Sequence, residues 1–476
     1  MIDEKAVREH LYQKYIEPTR NEREHYIGIE LELPIVNLDR EAVDFSKVHQ
    51  VAREFVEHFQ FRPTGWDDEG HMYAAECPKT GDILSFDCSY NNLELSMGRE
   101  KELHTLNERF RRYYRYLNTL FGRFHYTLTG MGINPYRIYN HNVPIENGRY
   151  RMLFHHLSLR DKYQQEEPMY FHEYPAFGTF CSASQVQLDV SYDELLLTMN
   201  VFSRLEPLNV LLFGNSVLLG EHEDLLCSRD MLWENSSQGI NPHNIGMFDC
   251  RFDTVDDLLS YIESTSIYCV ERGEKYINFR PVCIWDYFRM ESVRGEYFAD
   301  GCYHEVDVIP QIEDLAWLRT FKFEDLTFRG TVEFRSACCQ PVSDSMAVAA
   351  FYVGLKEKLS ELSGILANDH VIYHHGYNQM ELRKLFVKRD LPGFVDIDSL
   401  YHLVGRIVKL AEEGLRERGF GEECYLEPLY HRVKSRENPA RRMLRERDAG
   451  HSMEEIILEY SCLTARQPET PDPDPV

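Results

Sequence analysis

Neither of the common glycine-rich phosphate loops is present: the chain lacks G-x-x-x-x-G-K-[ST] and G-x-G-x-x-G. If it holds a nucleotide, it does so without a P-loop or a Rossmann turn. G-x-S-x-G is missing too, and with it the serine elbow of an α/β-hydrolase. The twelve cysteines contain no C-x-x-C pair, which excludes a zinc framework or a secreted disulfide scaffold and leaves them as small apolar packing residues. There is no apolar run of 18 residues, and Met1-Ile2-Asp3-Glu4-Lys5 is not the start of a signal peptide; the expectation is a cytoplasmic protein with no membrane partner. Positive charge is scarce. The chain has 52 Lys and Arg against 78 Asp and Glu, a net charge of -26, which argues against nucleic acid or an anionic membrane as a partner.

What the chain does have is acids in strands. In Tyr26-Ile27-Gly28-Ile29-Glu30-Leu31-Glu32-Leu33-Pro34 the period-2 alternation puts Ile27, Ile29, Leu31 and Leu33 on one face and Glu30 and Glu32 on the other. Carboxylates two residues apart on a strand sit roughly 6.6 Å apart at the Cα level, close enough to repel unless a cation lies between them. Three segments repeat the device. Glu94 opposes Leu93 and Leu95; Gln185, Gln187 and Asp189 oppose Val186, Leu188 and Val190; Glu333 and Arg335 oppose Val332 and Phe334. A solvated antiparallel sheet also alternates, but acids are depleted in strands and destabilise one another when adjacent. The pattern predicts one antiparallel sheet, apolar beneath, with a floor of carboxylates, amides and an arginine above it. Such a floor suits divalent cations and phosphates.

Along the chain, helices are expected at 3–18, 47–58 (capped by Ser46), 99–121, 192–203, 205–219, 255–271, 345–366, 378–389, 397–418 and 436–460. Residues 70–97 read as hairpin strands, and 124–132 as another strand. Segment 136–176, rich in Tyr, His and Arg, reads as an irregular substrate-facing region, and Gly220 to Phe248 as a loop. Strands mixed with helices without regular alternation predict an α+β fold. Residues 1–466 are expected to form a single catalytic domain, with 345–460 mostly helical. Gln467 to Val476 holds four prolines and reads as a disordered tail.

The chain resembles the plant- and proteobacterial-type glutamate–cysteine ligases, within the glutamine-synthetase-like superfamily of carboxylate–amine ligases. The likeness runs in order from about Tyr26 to about Tyr460. It rests on Glu30-Leu31-Glu32; on Asp87 with Glu94; on Gly132-Ile133-Asn134-Pro135 and Gly148-Arg149-Tyr150; on Gln185-Val186-Gln187-Leu188-Asp189 followed by Phe213-Gly214-Asn215-Ser216; on Ser228-Arg229 to Trp233; on Val332-Glu333-Phe334-Arg335; and on Glu412 to Gly419. Two loops depart from what the resemblance implies. Glu234-Asn235-Ser236-Ser237-Gln238-Gly239 stands where the family's plant members have an acidic, Asp-rich turn, and Ser336-Ala337-Cys338-Cys339 stands where Gly-Ala-Asp is common.

The resemblance implies a glutamine-synthetase-like catalytic fold. It further implies an enzyme that joins the γ-carboxylate of glutamate to the amine of cysteine through a γ-glutamyl phosphate, the first step of glutathione biosynthesis. The cofactors implied are ATP and Mg²⁺, which Mn²⁺ can replace. Glu30, Glu32, Asp87, Glu94, Gln185 and Glu333 are then metal ligands, and Arg335 is the catalytic cation on the transferring phosphoryl. Gln187, with Arg335, contacts the nucleotide; Arg229, Arg149 and Tyr150 contact substrate, Arg229 as a two-pronged clamp on a carboxylate. Three other readings stay open at this point: a γ-glutamyl ligase for a different amine, a guanidino phosphotransferase, and a non-catalytic nucleotide-binding pseudoenzyme.

Overall fold

The acidic strand is the middle of a nine-stranded sheet in this computed structural model, which describes residues 2–159, 162 and 171–464. The strands are β1 (Ile27–Asn37), β2 (Arg62–Trp66), β3 (Met72–Glu76), β4 (Ile83–Phe86), β5 (Asn92–Glu100), β6 (Tyr126–Leu128), β7 (Ser184–Asp189), β8 (Glu324–Leu326) and β9 (Thr331–Phe334). Their order is β8-β9-β7-β1-β5-β4-β3-β2, with β6 paired to the far end of β1, and every pairing is antiparallel. The register is what matters for function. Glu32 sits opposite Glu94, Glu30 opposite Gln185, and Glu333 opposite Gln187. Ile27, Ile29, Leu31, Leu33, Leu93, Leu95, Val186, Leu188, Val332 and Phe334 are buried on the other face. The helix α1 (Leu103–Gly122) packs its predicted stripe, from Leu103 to Leu117, into the same core.

Several expected boundaries change, each for a physical reason. The helix at Phe45–Phe59 is capped by Asp44, whose Oδ1 accepts the Ser46 N–H at 3.0 Å; Ser46 lies inside the helix. The supposedly irregular 136–176 contains a helix, α2 (Gly148–Ser158), started by Asn147 Oδ1 accepting the Tyr150 N–H at 2.8 Å. The two helices expected at 192–203 and 205–219 are one, α3 (Leu195–Phe213), which runs through Pro207 and stops at Gly214. Pro207 removes one backbone donor, but fifteen of the helix's residues are buried, so packing outweighs the lost bond. Burial on all sides also explains why α3 is apolar enough to resemble a membrane span. The loop from Gly220 to Phe248 carries a short helix, α4 (Ser228–Glu234).

The largest correction is at 255–271. The helix covers only Val255–Glu263, because the Ser264 and Thr265 hydroxyls turn back to the Tyr261 and Ile262 carbonyls. Ser266–Arg272 then begins a second antiparallel sheet with Lys275–Cys283, Val293–Ala299 and Cys302–Val308. The fold is α+β, but with two such sheets among the described residues where one was expected. The C-terminal part is helical, including α5 (Ala347–Lys356) and α6 (Ile397–Arg418); the expected 345–366 and 436–460 each divide into two helices. The tail at 467–476 lies outside the described residues.

Helices α5 and α6 cross backbone to backbone. A Cβ at Gly354 would stand 2.1 Å from the Ala411 carbonyl oxygen, and one at Gly414 would stand 2.0 Å from that of Gly354. Gly354→Ala should therefore destabilise the protein by about 1–3 kcal/mol through overpacking, although alanine is the better helix former. Urea unfolding checks this: the midpoint falls with an unchanged m-value, and an unmoved midpoint would show that the helices do not meet there.

Candidate active site

A cavity of about 300 Å³ lies over the polar face of the sheet. Its floor is Glu30, Glu32, Asp87, Glu94 and Gln185, and its walls include Arg149, Tyr150, Arg229 and Arg335. Nine sequence-predicted residues therefore meet in one place. Gln187 and Glu333 are not among the lining residues and lie beside it.

The inner part of the floor is a carboxylate triad. Glu32, Asp87 and Glu94 each present an oxygen within 4.8 Å of the other two. Glu32 is fixed by two donors, the Ala183 N–H and the Gln185 amide, both at 2.7 Å. The Ser96 hydroxyl donates to Glu94, and the Tyr150 hydroxyl reaches Asp87 Oδ1 at 3.5 Å. The amide oxygen of Gln185 is buried with no hydrogen-bond partner among the described residues. Three hard carboxylates and an unpaired amide oxygen make a donor set for a divalent cation of the Mg²⁺ or Mn²⁺ type. The residues fit the metal that the sequence implied.

The outer part is a relay. Gln187 donates to Glu30 at 3.1 Å and to Glu333 at 2.8 Å, and its oxygen accepts from Arg329 at 2.8 Å. Arg335 pairs with Glu333 at 3.2 Å. Gln187 thus spends its polar atoms on carboxylates and an arginine of this chain. Arg329, on the turn before β9, escaped the sequence reading because no alternation marks a turn residue.

Electrostatics follow from this crowding. Burial and then the Glu333 charge push the Glu30 carboxyl up to about 7; burial and then Asp87 do the same to Glu32. Burial raises Asp87, and burial with Glu30 pushes Glu94 well up.

The walls carry the cations. Arg229, on α4, is 8% exposed; it donates to the Ala337 carbonyl at 3.3 Å, and its Nε is buried without a partner among the described residues. That leaves donors for an incoming anion. Arg149 stands over the Tyr150 ring, 5.7 Å from its centroid. Behind α4, Arg383 ties Asp230 (2.7 Å) to Glu206 of α3 (2.5 Å) and holds the helix in place. The far wall is aromatic: Trp233 stacks on Phe321 at 4.4 Å, near Tyr268 and Trp317. Sequence reasoning missed Tyr268, Trp317 and Phe321, which come from segments distant from every motif.

Against this geometry, known proteins give a consistent match. The chain belongs to glutamate-cysteine ligase family 2. The family's model matches residues 26–461. The chloroplastic glutamate–cysteine ligase of Solanum lycopersicum is 26% identical over 267 residues, 55% of this chain and 48% of that one. That of Nicotiana tabacum is 25% identical over the same length. The match thus spans about half the length of these curated relatives. Among solved structures, the glutamate–cysteine ligase of Francisella tularensis in complex with AMP shares the fold, with a TM-score of 0.50 and 12% identity over 93% of this chain and 88% of that one.

The floor predicts a cation response with a definite pH sign. Carboxyls raised in the folded state contribute stability that is fully present below their ordinary pKa and is lost as pH climbs through about 7. A divalent cation binds the ionised form and reverses that loss. Adding Mg²⁺ or Mn²⁺ should therefore raise the melting temperature more at about pH 8 than at about pH 5.5, and Glu32→Gln should shrink the rise. Calorimetry decides it; an equal rise at both pH values would remove the metal from this floor.

Proposed function

We propose that this chain is an ATP-dependent ligase joining the γ-carboxylate of glutamate to an amine, with cysteine the preferred acceptor. The observation that carries the reading is the triad of Glu32, Asp87 and Glu94 with the unpaired Gln185 oxygen, facing guanidiniums across one cavity. Family membership and the AMP complex of the F. tularensis relative support it.

Making an amide from a carboxylate in water is uphill, so the carboxylate is first converted to an acyl phosphate, with ADP as the by-product. Glu30, Glu32, Asp87, Glu94, Gln185 and Glu333 would hold Mg²⁺ or Mn²⁺. When bound, the metal neutralises triphosphate charge. Arg335, aimed by Glu333, stabilises negative charge on the transferring phosphoryl. Arg229 takes a substrate carboxylate on its free donors. Arg149 and Tyr150, on α2 across the cavity, face the substrate from the other wall. The aromatic wall excludes water, so the acyl phosphate meets the amine rather than hydrolysing.

Two expectations test the reading. Glu30→Gln and Glu333→Gln should abolish ADP release while leaving the fold intact, and Arg335→Lys should lower kcat on the order of 100-fold with little change in KM for glutamate. Full turnover in the Glu variants refutes the acidic floor; an effect on KM alone moves Arg335 to ground-state binding. Glutamate should be strictly required, while 2-aminobutyrate is also joined, since an apolar pocket separates such amines by only about 1–3 kcal/mol. Mass spectrometry of products from equimolar cysteine, 2-aminobutyrate, alanine and methylamine reads this out. If another amine is glutamylated and no γ-glutamylcysteine forms, the cysteine assignment is wrong and the ligase class stands. Phosphorylation of a guanidine with no amide product would favour the phosphotransferase.

A further inference from the structure

The hairpin turn between β8 and β9 carries Arg329, which is exposed and is not among the residues that line the cavity. Its guanidinium donates to the Gln187 side-chain oxygen at 2.8 Å. The other end of that amide is shared: Nε2 gives one hydrogen to Glu30 at 3.1 Å and one to Glu333 at 2.8 Å. A glutamine amide has two donor hydrogens and one acceptor oxygen, so all three contacts form only with the nitrogen toward the carboxylates. Turned over, the amide would set its oxygen against two carboxylates and its N–H groups against a guanidinium. The relay runs beside the cavity, and its two ends, Glu30 and Arg335, line it.

The turn is itself tied down, by a part of the chain that precedes the family match at residue 26. Arg23 donates to the Arg329 and Pro18 carbonyls, each at 3.2 Å, and to Asp189 Oδ1 at the end of β7, at 2.5 Å. Thr327 Oγ1 accepts the Arg329 N–H at 3.2 Å. Gly330 has φ +71°, and a Cβ there would stand 2.8 Å from the Pro18 carbonyl oxygen. Arg329 is an exposed side chain on a fixed backbone, and its guanidinium ends on one amide.

We propose that Arg329 is a positioning residue: it holds the Gln187 amide across Glu30 and Glu333, and Glu333 so held aims Arg335. The two carboxylates repel each other, and the amide between them is the neutral donor that lets them stand together. Among the described residues no other donor reaches the Gln187 oxygen. Without Arg329 that oxygen loses its partner and the amide can turn to solvent. Glu333 then loses a donor, and Arg335 loses its fixed partner. Arg329 touches no substrate; it acts through Gln187, and Arg23 acts through the turn that carries Arg329. The effect on turnover rests on the ligase reading above; the support of the acidic floor does not.

A double-mutant cycle on the full-length protein separates this role from a direct one. Removing an outer partner that orients a site's side chains typically costs about 10- to 100-fold. That is the fall in kcat expected for Arg329→Gln, with KM for ATP and glutamate within about twofold of the wild type. Gln187→Ala should lose at least as much, and the double variant no more than Gln187→Ala alone, because the two act in series. Arg329→Lys should recover most of the loss, since an ammonium can still donate to the oxygen. Arg23→Gln should show a smaller loss of the same kind. Losses that multiply in the double variant, or a KM for ATP that rises while kcat stands, overturn the proposal and put Arg329 on the nucleotide. Unaltered kinetics in Arg329→Gln overturn it too. Mn²⁺ affinity, read by electron paramagnetic resonance without substrates, is the second measurement. It should weaken in both single variants, and in the double variant no further than in Gln187→Ala; an affinity unmoved in all three overturns the relay. If the wild-type chain releases no ADP with any amine, the ligase reading fails instead, and the Mn²⁺ cycle still decides whether Arg329 works through Gln187.

Discussion

The repulsion among the carboxylates on one face of the sheet is the constraint that the rest of the site answers. At 4 Å and an effective dielectric near 20, two such charges oppose each other by about 4 kcal/mol. The opposite face supplies the counterweight. Each fully buried Ile, Leu, Val or Phe contributes about 1.5–3 kcal/mol, and β1, β5, β7 and β9 between them bury at least ten. Apolar burial locks the register, and the register then forces Glu32 against Glu94 and Glu30 beside Gln185. The polar face has no freedom to relax by slipping, because a one-residue slip would expose every apolar side chain.

The same logic explains the buried ion network under α4. Arg383, 3% exposed, joins Glu206 on α3 to Asp230 on α4. Such a pair adds little net stability over an apolar replacement, but breaking it strands a charge at about 3–5 kcal/mol. A helix of seven residues cannot hold itself. It is held by Arg383 from below, and that is what keeps Arg229 in the cavity wall.

How much of this was legible in the sequence follows from how local each signal is. Period-2 alternation is written within one strand, so Glu30, Glu32, Glu94, Gln185 and Glu333 could be read directly, and pairing alternating strands into one sheet brought them together. Helix α6 was legible to the residue, since its stripe is long and Asp396 and Gly419 mark its ends. The second sheet was not. Ser266–Arg272 follows a helix with only two residues between, and no Gly, Pro or Asn separates them, so the helical period runs on in the sequence after the backbone has turned. Pro207 misled in the opposite sense: a residue that breaks solvated helices sits inside one that is buried on nearly every side. The aromatic wall had no local signal, because Tyr268 and Trp233 reach the segment of Trp317 and Phe321 only through the tertiary fold.

Two of the arginines on the cavity, Arg335 and Arg229, stand in opposite surroundings, which under the proposed function suits them to different work. Arg335 already has a carboxylate, Glu333, at 3.2 Å, and Glu333 in turn accepts from Gln187. A guanidinium so engaged is well aimed, but it gains little from a ground-state anion because its first partner must be shared. Its pull grows only as extra negative charge develops nearby, which is the condition for lowering a barrier rather than tightening a complex. Arg229 has the reverse environment. Its donated bond is to a carbonyl, its Nε is unpaired, and its charge is balanced at longer range by Glu32 and the surrounding sulfurs. A carboxylate entering the cavity becomes its nearest counter-ion, so its contribution is realised on binding and carried unchanged into the reaction. Under the proposed function, the paired arginine suits the transition state and the one whose Nε is unpartnered among the described residues suits the substrate.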